Sequence, residues 1–173
     1  MNIIKFFGMC LVFAGCAGLG LYYRMQEIVR YRNLQEIQKA MAVIRGEISA
    51  VHTPLPDALY QAARRTRGVI SAFFSAVVKE LEGGGGELRL IWRAKLQETV
   101  SAMQLCERDR RELERMGEML GYLDVEMQLQ SIDLFSGRVE QGMRDMEGES
   151  EKRSRLYPVL GMAAGILLCI LLL

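Results

Sequence analysis

The distribution of charge along this chain limits its possible folds more than any other feature. Two segments of 18 residues, 6–23 and 156–173, contain no charged side chain, whereas the residues between them hold nearly all of the 22 basic and 21 acidic side chains. An apolar helix of this length is just long enough to cross a hydrocarbon core of about 30 Å, and it satisfies its own backbone hydrogen bonds there. We therefore predict an N-terminal transmembrane helix within 1–23, a water-exposed domain over 24–155 and a C-terminal transmembrane helix over 156–173.

Basic residues near the two predicted spans indicate the side of the membrane on which the central domain lies. Lys5 alone precedes the first span, whereas six basic residues flank the spans on the domain side: Arg24, Arg30, Arg32, Lys152, Arg153 and Arg155. Juxtamembrane lysine and arginine are retained preferentially in the cytoplasm. We expect a protein of the cell membrane with a cytoplasmic central domain.

A removable lipoprotein signal is the alternative interpretation of the first apolar segment. Small residues precede Cys16 in the stretch Phe13-Ala14-Gly15-Cys16, as in a lipoprotein cleavage box. This alternative would place the central domain outside the cytoplasm. The apolar run continues past Cys16 to Tyr23, and the basic cluster follows the run instead of preceding it. Both features favour a retained span.

The central domain lacks the residue combinations that catalysis or metal binding requires. His52 is the only histidine, and Cys106 is the only one of four cysteines outside the predicted spans, so neither a disulfide framework nor a His/Cys metal site is indicated. The glycine run 83–86 lacks the Lys-Ser/Thr pair of a phosphate-binding loop and indicates a linker. A net charge of +1 argues against nucleic acid as a partner. We expect a protein without cofactors that is not an enzyme.

Apolar residues recur at helical spacing throughout the central domain, and no alternating pattern is long enough to predict a strand. The pattern predicts an all-α fold, a cytoplasmic bundle of about five or six helices flanked by the two transmembrane helices. The predicted stripes include Leu34, Ile37, Met41, Ile44 and Ile48; Leu88, Trp92, Leu96, Val100 and Met103; and Val125, Leu129, Ile132, Phe135, Val139 and Met146.

Several residues indicate where these helices begin and end. Thr53 is a suitable N-cap, with Pro54 at the first helical position of the helix that carries Leu55. Gly121 is predicted to be the C-cap of the charged helix before it, and Asp124 the N-cap of the long final helix.

Four arginines of the charged helix are candidates for binding a partner. Arg108, Arg110, Arg111 and Arg115 alternate with acidic residues. Such mixing is typical of a solvated helix face with pairs between neighbouring turns, and it also suits a docking face. In the C-terminal span, Gly161 and Gly165 are spaced for close helix contact, either with the first span or between subunits of a homo-oligomer.

Two motifs resemble the stage III sporulation protein AB family of endospore-forming bacteria. The first is Glu47-Ile48 followed by His52-Thr53-Pro54-Leu55-Pro56-Asp57-Ala58, and the second is Gly117-x-x-Leu120-Gly121-x-x-Asp124-x-x-x-Gln128. Each motif alone marks only helix ends, but their order and spacing together are more specific. The resemblance extends over nearly the whole chain, including the apolar segment at each end.

The resemblance implies a role in sporulation. Members of this family belong to the channel complex that links mother cell and forespore, and they lie in the mother-cell membrane that surrounds the forespore. Their helical domain is similar to the F-type platform proteins of type II secretion and type IV pilus systems, which implies contact with a cytoplasmic secretion-type ATPase and other channel-complex proteins. Those platform proteins have a duplicated domain and more spans, so a platform of this chain requires several copies.

The expected function is therefore a non-enzymatic membrane platform. A membrane-anchored regulatory or sensor adaptor, with the same charged helix capturing another cytoplasmic protein, is the alternative. A membrane enzyme is the third and least favoured hypothesis, because the sequence contains no recognisable nucleophile–base pair or metal cluster.

Overall fold

The computed structural model gives backbone structure over residues 2–84, 86–122 and 124–172, and describes side chains at residue 22 and over 25–84, 86–121 and 124–148. In these backbone ranges the chain forms six α-helices and a π-helical turn, without strands. They are α1 (Asn2–Gly46), the π-helical turn (Glu47–Val51), α2 (Leu55–Arg65), α3 (Gly68–Glu82), α4 (Leu88–Met103), α5 (Glu107–Tyr122) and α6 (Val125–Leu172). The predicted all-α class is confirmed.

The helices form a closed bundle in which each packs against the next along the chain and α6 returns to α1. Helix α1 also contacts α3 and α4, so it is the most central of the six. The first predicted stripe, from Leu34 on α1 to Ile48 in the π-helical turn, is buried throughout, as are Phe73, Phe74 and Trp92 of α3 and α4. Residues three and four apart share one face of a helix, which is why these stripes meet in a single core.

Trp92 lies at the contact between α3, α4 and α5. Its ring meets those of Phe73 and Phe74 edge-on, at centroid distances of 4.9 and 5.7 Å. Its Nε1 donates a hydrogen bond of 2.9 Å to the carbonyl of Leu113 on α5. A Cβ atom at Gly117, one turn further along α5, would lie only 2.2 Å from Trp92 Cγ. The absence of a side chain at Gly117, the first residue of the second motif, therefore allows α5 to lie directly on the indole ring.

Helices α1 and α6 are antiparallel and joined by short side-chain hydrogen bonds at two levels, with a longer one of 3.5 Å between them. The Tyr31 hydroxyl donates to Glu147 Oε1 at 2.7 Å, and Arg45 Nε donates to Asp133 Oδ1 at 2.6 Å. Fourteen residues separate the two levels on either helix, which is about four helical turns. The hydrogen bond to Glu147 raises the pKa of Tyr31. These pairs set the position of α1 relative to α6 along their axes.

The N-cap predicted at Thr53 is wrong. Helix α2 begins at Leu55, Pro54 occupies its N-cap position, and Pro56 is the proline of its first turn. The Thr53 hydroxyl donates instead to Glu47 Oε2, and the Thr53 amide donates to the Glu47 carbonyl, both at 3.1 Å. The left-handed conformation of His52, with φ of 56°, turns the chain back so that Thr53 closes the preceding π-helical turn.

The C-cap predicted at Gly121 is also wrong, whereas the N-cap predicted at Asp124 is confirmed. Helix α5 continues to Tyr122, so Gly121 lies in its last turn. Gln128 Nε2 donates at 2.8 Å to the carbonyl of Leu120, which lies in that turn. Asp124 Oδ1 accepts a hydrogen bond of 2.9 Å from the Met127 amide. The second motif thus joins the end of α5 to the start of α6 through side chains.

The two predicted membrane spans lie outside the residues whose side chains are described, apart from Tyr22. Gly161 and Gly165 belong to this part of the chain as well. Among the described residues, no helix combines the length and apolar character that a membrane crossing requires.

Candidate functional site

Two of the four candidate arginines, Arg110 and Arg111, share a carboxylate of their own helix, Glu107. Arg110 Nη2 donates to Glu107 Oε1 at 2.7 Å and its Nη1 lies 3.4 Å from Glu114 Oε2, while Arg111 Nε lies 3.6 Å from Glu107 Oε1. The hydrogen bond from Arg110 lowers the pKa of Glu107, and the same bond raises the pKa of Arg110. These residues form the solvated, internally paired face that the charge pattern indicates.

Arg108 lies at the end of α5 that side-chain contacts join to α6 and α1. Its Nη1 is 3.7 Å from Asp145 Oδ2 on α6, and the adjacent Asp109 accepts a hydrogen bond of 2.7 Å from Arg30 Nε on α1. Burial works against the charge of Arg30, but the hydrogen bond and the charge of Asp109 outweigh it and raise the pKa of Arg30. This end of α5 is therefore engaged in holding the bundle together.

Arg115 lies in a different environment from the other three. Its Nη1 is 3.7 Å from Glu112 Oε1, and the second oxygen of Glu112 accepts a hydrogen bond of 2.6 Å from Arg138 Nη1 on α6. The Glu112 side chain, 21% exposed, thus pairs with both Arg115 and Arg138, whose side chains are 63% and 51% exposed. The three side chains have a net charge of +1 at the surface between α5 and α6.

A shallow, open groove with a cavity volume of about 60 Å³ lies beside these three side chains. Its walls include Met119 of α5 and Leu134 of α6, both exposed, and its floor includes the buried Phe135. Met127 is also exposed and lies two helical turns before Leu134 on α6. We call this feature, with Glu112, Arg115 and Arg138 on its rim, the α5–α6 groove.

The sequence prediction identified Arg115 but not Arg138 or the groove. Arg138 and Leu134 are outside the buried stripe of α6, and the groove exists only because α5 and α6 pack side by side. One sequence signal was available, since Met127, Leu134 and Arg138 follow one another at seven and four residues on the polar face of the helix. The arrangement offers apolar surface and positive charge, which suits binding. The role of the four arginines in partner binding stays a prediction.

Comparisons with known proteins agree with the resemblance seen in the motifs. The family described as stage III sporulation protein AB matches residues 5–173. A relative named stage III sporulation protein AB, from Bacillus subtilis (strain 168), is 29% identical over 144 residues, which are 83% of this chain and 84% of the relative. A solved structure of a stage III sporulation protein AB (SpoIIIAB) is 27% identical, with a TM-score of 0.65, and the match covers 72% of this chain and 98% of that one. This chain therefore belongs to the stage III sporulation protein AB family, and its function is connected with sporulation.

Proposed function

We propose that this protein is a non-enzymatic platform of the channel complex that joins mother cell and forespore. In this proposal a span at each end anchors it in the mother-cell membrane around the forespore, and the bundle projects into the cytoplasm. Membership of a sporulation family supports the cellular process. The charge-free segments 6–23 and 156–173 and the basic residues beside them support the anchoring and the orientation.

The register between α1 and α6 is the observation that most supports anchoring at both ends. Tyr31, which is bonded to Glu147, follows the end of the first predicted span at Tyr23 by eight residues. Glu147 precedes the start of the second predicted span at Leu156 by nine residues. At 1.5 Å per residue, both distances along the helices are about 12–14 Å. The two predicted spans would therefore begin at nearly the same distance from the Tyr31–Glu147 hydrogen bond, as expected if both enter the same membrane.

The platform is proposed to bind a cytoplasmic secretion-type ATPase and other channel proteins, in an assembly of several copies. A rigid bundle held at both ends suits this role, because α1 and α6 join the anchors directly to the helices that form the exposed charged surface. An adaptor that captures a different cytoplasmic protein would use the same surface. The two functions are distinguished by the identity of the bound protein.

Cysteine labelling tests the predicted orientation. In a chain whose four natural cysteines are replaced by serine, Leu90→Cys provides an exposed thiol on α4. We expect a membrane-impermeant maleimide to label it in inside-out membrane vesicles but not in sealed right-side-out vesicles. Asn2→Cys is the matched control and is expected to show the opposite pattern. Labelling of Leu90→Cys in sealed right-side-out vesicles would contradict the proposed orientation.

Binding to the ATPase tests the platform function itself. The full-length chain in mild detergent is expected to retain the purified cognate ATPase in a pull-down, and deletion of the gene is expected to block spore formation. Addition of the full-length gene at a second locus should restore it. Lack of binding together with normal spore yield after deletion would exclude the platform function, and stable capture of another defined cytoplasmic protein would favour the adaptor.

A further inference from the structure

We propose that the α5–α6 groove binds an acidic amphipathic helix of the ATPase, with an apolar side chain seated between Met119 and Leu134 and a carboxylate bound by Arg115 and Arg138. This inference rests on the proposed function and specifies where on the bundle the partner binds and what chemistry it must have. It also assigns a role in partner binding to Arg115 and not to the other three candidate arginines.

The charges on the rim of the groove determine the sign of the charge that the partner must have. Arg138 donates to Glu112, and Arg115 has only the longer ion pair of 3.7 Å to the same carboxylate among the contacts of the described residues. A guanidinium has five N–H donors, so both arginines retain donors that can reach a second carboxylate. Charge-assisted bonds between guanidinium and carboxylate are among the stronger protein hydrogen bonds. A carboxylate from the partner would neutralise the net positive charge of the rim.

The apolar walls determine the second property of the partner. Leu134 is 58% exposed although it lies on a helix that buries Ile132 and Phe135 on either side of it in sequence. Met119 faces the groove from α5, and Met127 extends the same apolar row along α6. Methionine side chains adapt to the shape of a partner, and apolar rows of this kind receive the apolar face of an amphipathic helix.

A second copy of this chain is a less suitable occupant. In a symmetric dimer formed through this groove, Arg115 and Arg138 of one copy would face the same two arginines of the other. The exposed apolar residues of α2 and α4, Tyr60 and Leu90, also have arginine beside them, since Arg64 lies over the Tyr60 ring at 5.9 Å and Arg89 and Arg93 flank Leu90 in sequence. Like charges brought together at an interface oppose association.

The groove is also well separated from the predicted membrane surface. Arg138 precedes the start of the second predicted span by 18 residues along α6, which corresponds to about 27 Å. That distance exceeds the Debye length of about 8 Å at physiological salt. A water-soluble protein is therefore a better occupant than anionic lipid headgroups.

Two pairs of matched variants test this site in the full-length chain in detergent. Arg115→Glu is compared with Arg111→Glu, because both arginines are on α5, are 63% exposed and have an ion pair of 3.6–3.7 Å to a carboxylate one turn earlier. Leu134→Glu is compared with Leu90→Glu, because these leucines are 58% and 57% exposed. Each variant is titrated with the purified ATPase by microscale thermophoresis, and circular dichroism verifies the helix content.

We expect Arg115→Glu and Leu134→Glu to weaken binding at least tenfold and the two controls to weaken it less than twofold. Hydrogen–deuterium exchange on the ATPase should show protection of a segment with an apolar residue beside Asp or Glu. If all four variants bind like the wild-type chain, or if the protected segment is basic, the assignment of the groove is wrong while the platform function stands. Failure of the wild-type chain to bind the ATPase overturns the assignment of the groove, and together with normal spore yield after deletion of the gene it excludes the platform function as well. Self-association that Leu134→Glu abolishes, without loss of ATPase binding, assigns the groove to a second copy instead.

Discussion

Replacement of Gly117 with alanine is expected to lower the free energy of unfolding by about 2–3 kcal/mol. The added Cβ would lie 2.2 Å from Cγ and 2.3 Å from Cδ1 of Trp92. These atoms belong to the base of a ring that is 1% exposed and enclosed by Phe73 and Phe74, so the indole cannot turn aside. The better helix propensity of alanine, about 1 kcal/mol, offsets only part of this strain.

The fluorescence of Trp92 provides the measurement for this variant. It is the only tryptophan of the chain, so its emission follows the core directly during denaturation of the full-length protein in mild detergent. Gly137→Ala is the control, because Gly137 is on α6 with no atom within 4 Å of its added Cβ. The control is expected to be neutral or slightly stabilising. Equal stability of the two variants would show that α5 does not lie against Trp92 as described.

Replacement of Trp92 with alanine is expected to be the more damaging single change, at about 4 kcal/mol. It removes the largest fully buried side chain among the described residues, together with the edge-on contacts to Phe73 and Phe74 and the hydrogen bond to the Leu113 carbonyl. Because the fluorophore is lost, unfolding is followed by circular dichroism at 222 nm. Leu90→Ala, two residues earlier and exposed, is the control and should change stability by less than about 0.5 kcal/mol.

The effect of Gly117→Ala is expected to change sign in the Trp92→Ala background. The steric conflict disappears with the indole ring, so the alanine methyl group partly fills the new cavity and improves helix propensity. Gly117→Ala, which destabilises the natural chain, should then make the double variant more stable than Trp92→Ala alone, by up to about 1 kcal/mol. Additive effects in the double-mutant cycle would contradict direct contact between the two residues.

The sequence predicted one of the two arginines on the rim of the candidate site, Arg115, but neither Arg138 nor the groove. The four arginines were identified from the alternation of charge, and the structure distinguishes among them through their partners. Glu107 binds Arg110 and lies near Arg111 on the same helix, and Asp145 lies near Arg108 from α6. Pairs within one helix follow from spacing of three and four residues, whereas the sharing of Glu112 by Arg115 and Arg138 depends on how two helices pack.

The helix ends show the same limit of local reasoning. Asp124 was predicted correctly because an N-cap bond involves only residues within one turn. Thr53 was mistaken for a cap because the conformation of His52 directs its hydroxyl to Glu47. Gly121 was mistaken for a C-cap because α5 continues one residue further, to Tyr122.

The sequence by itself determined the all-α class, most of the apolar stripes and the family, since periodicity and motif spacing are local properties of the chain. The tertiary structure decided which helices are neighbours, why position 117 is glycine and where Arg138 meets Glu112. The last two features depend on contacts between residues 25 or 26 positions apart in the chain, as Gly117 is from Trp92 and Arg138 from Glu112. Helical periodicity determines which face of a helix is buried, but the packing partner of that face is determined only by the shapes and charges that meet when the bundle closes.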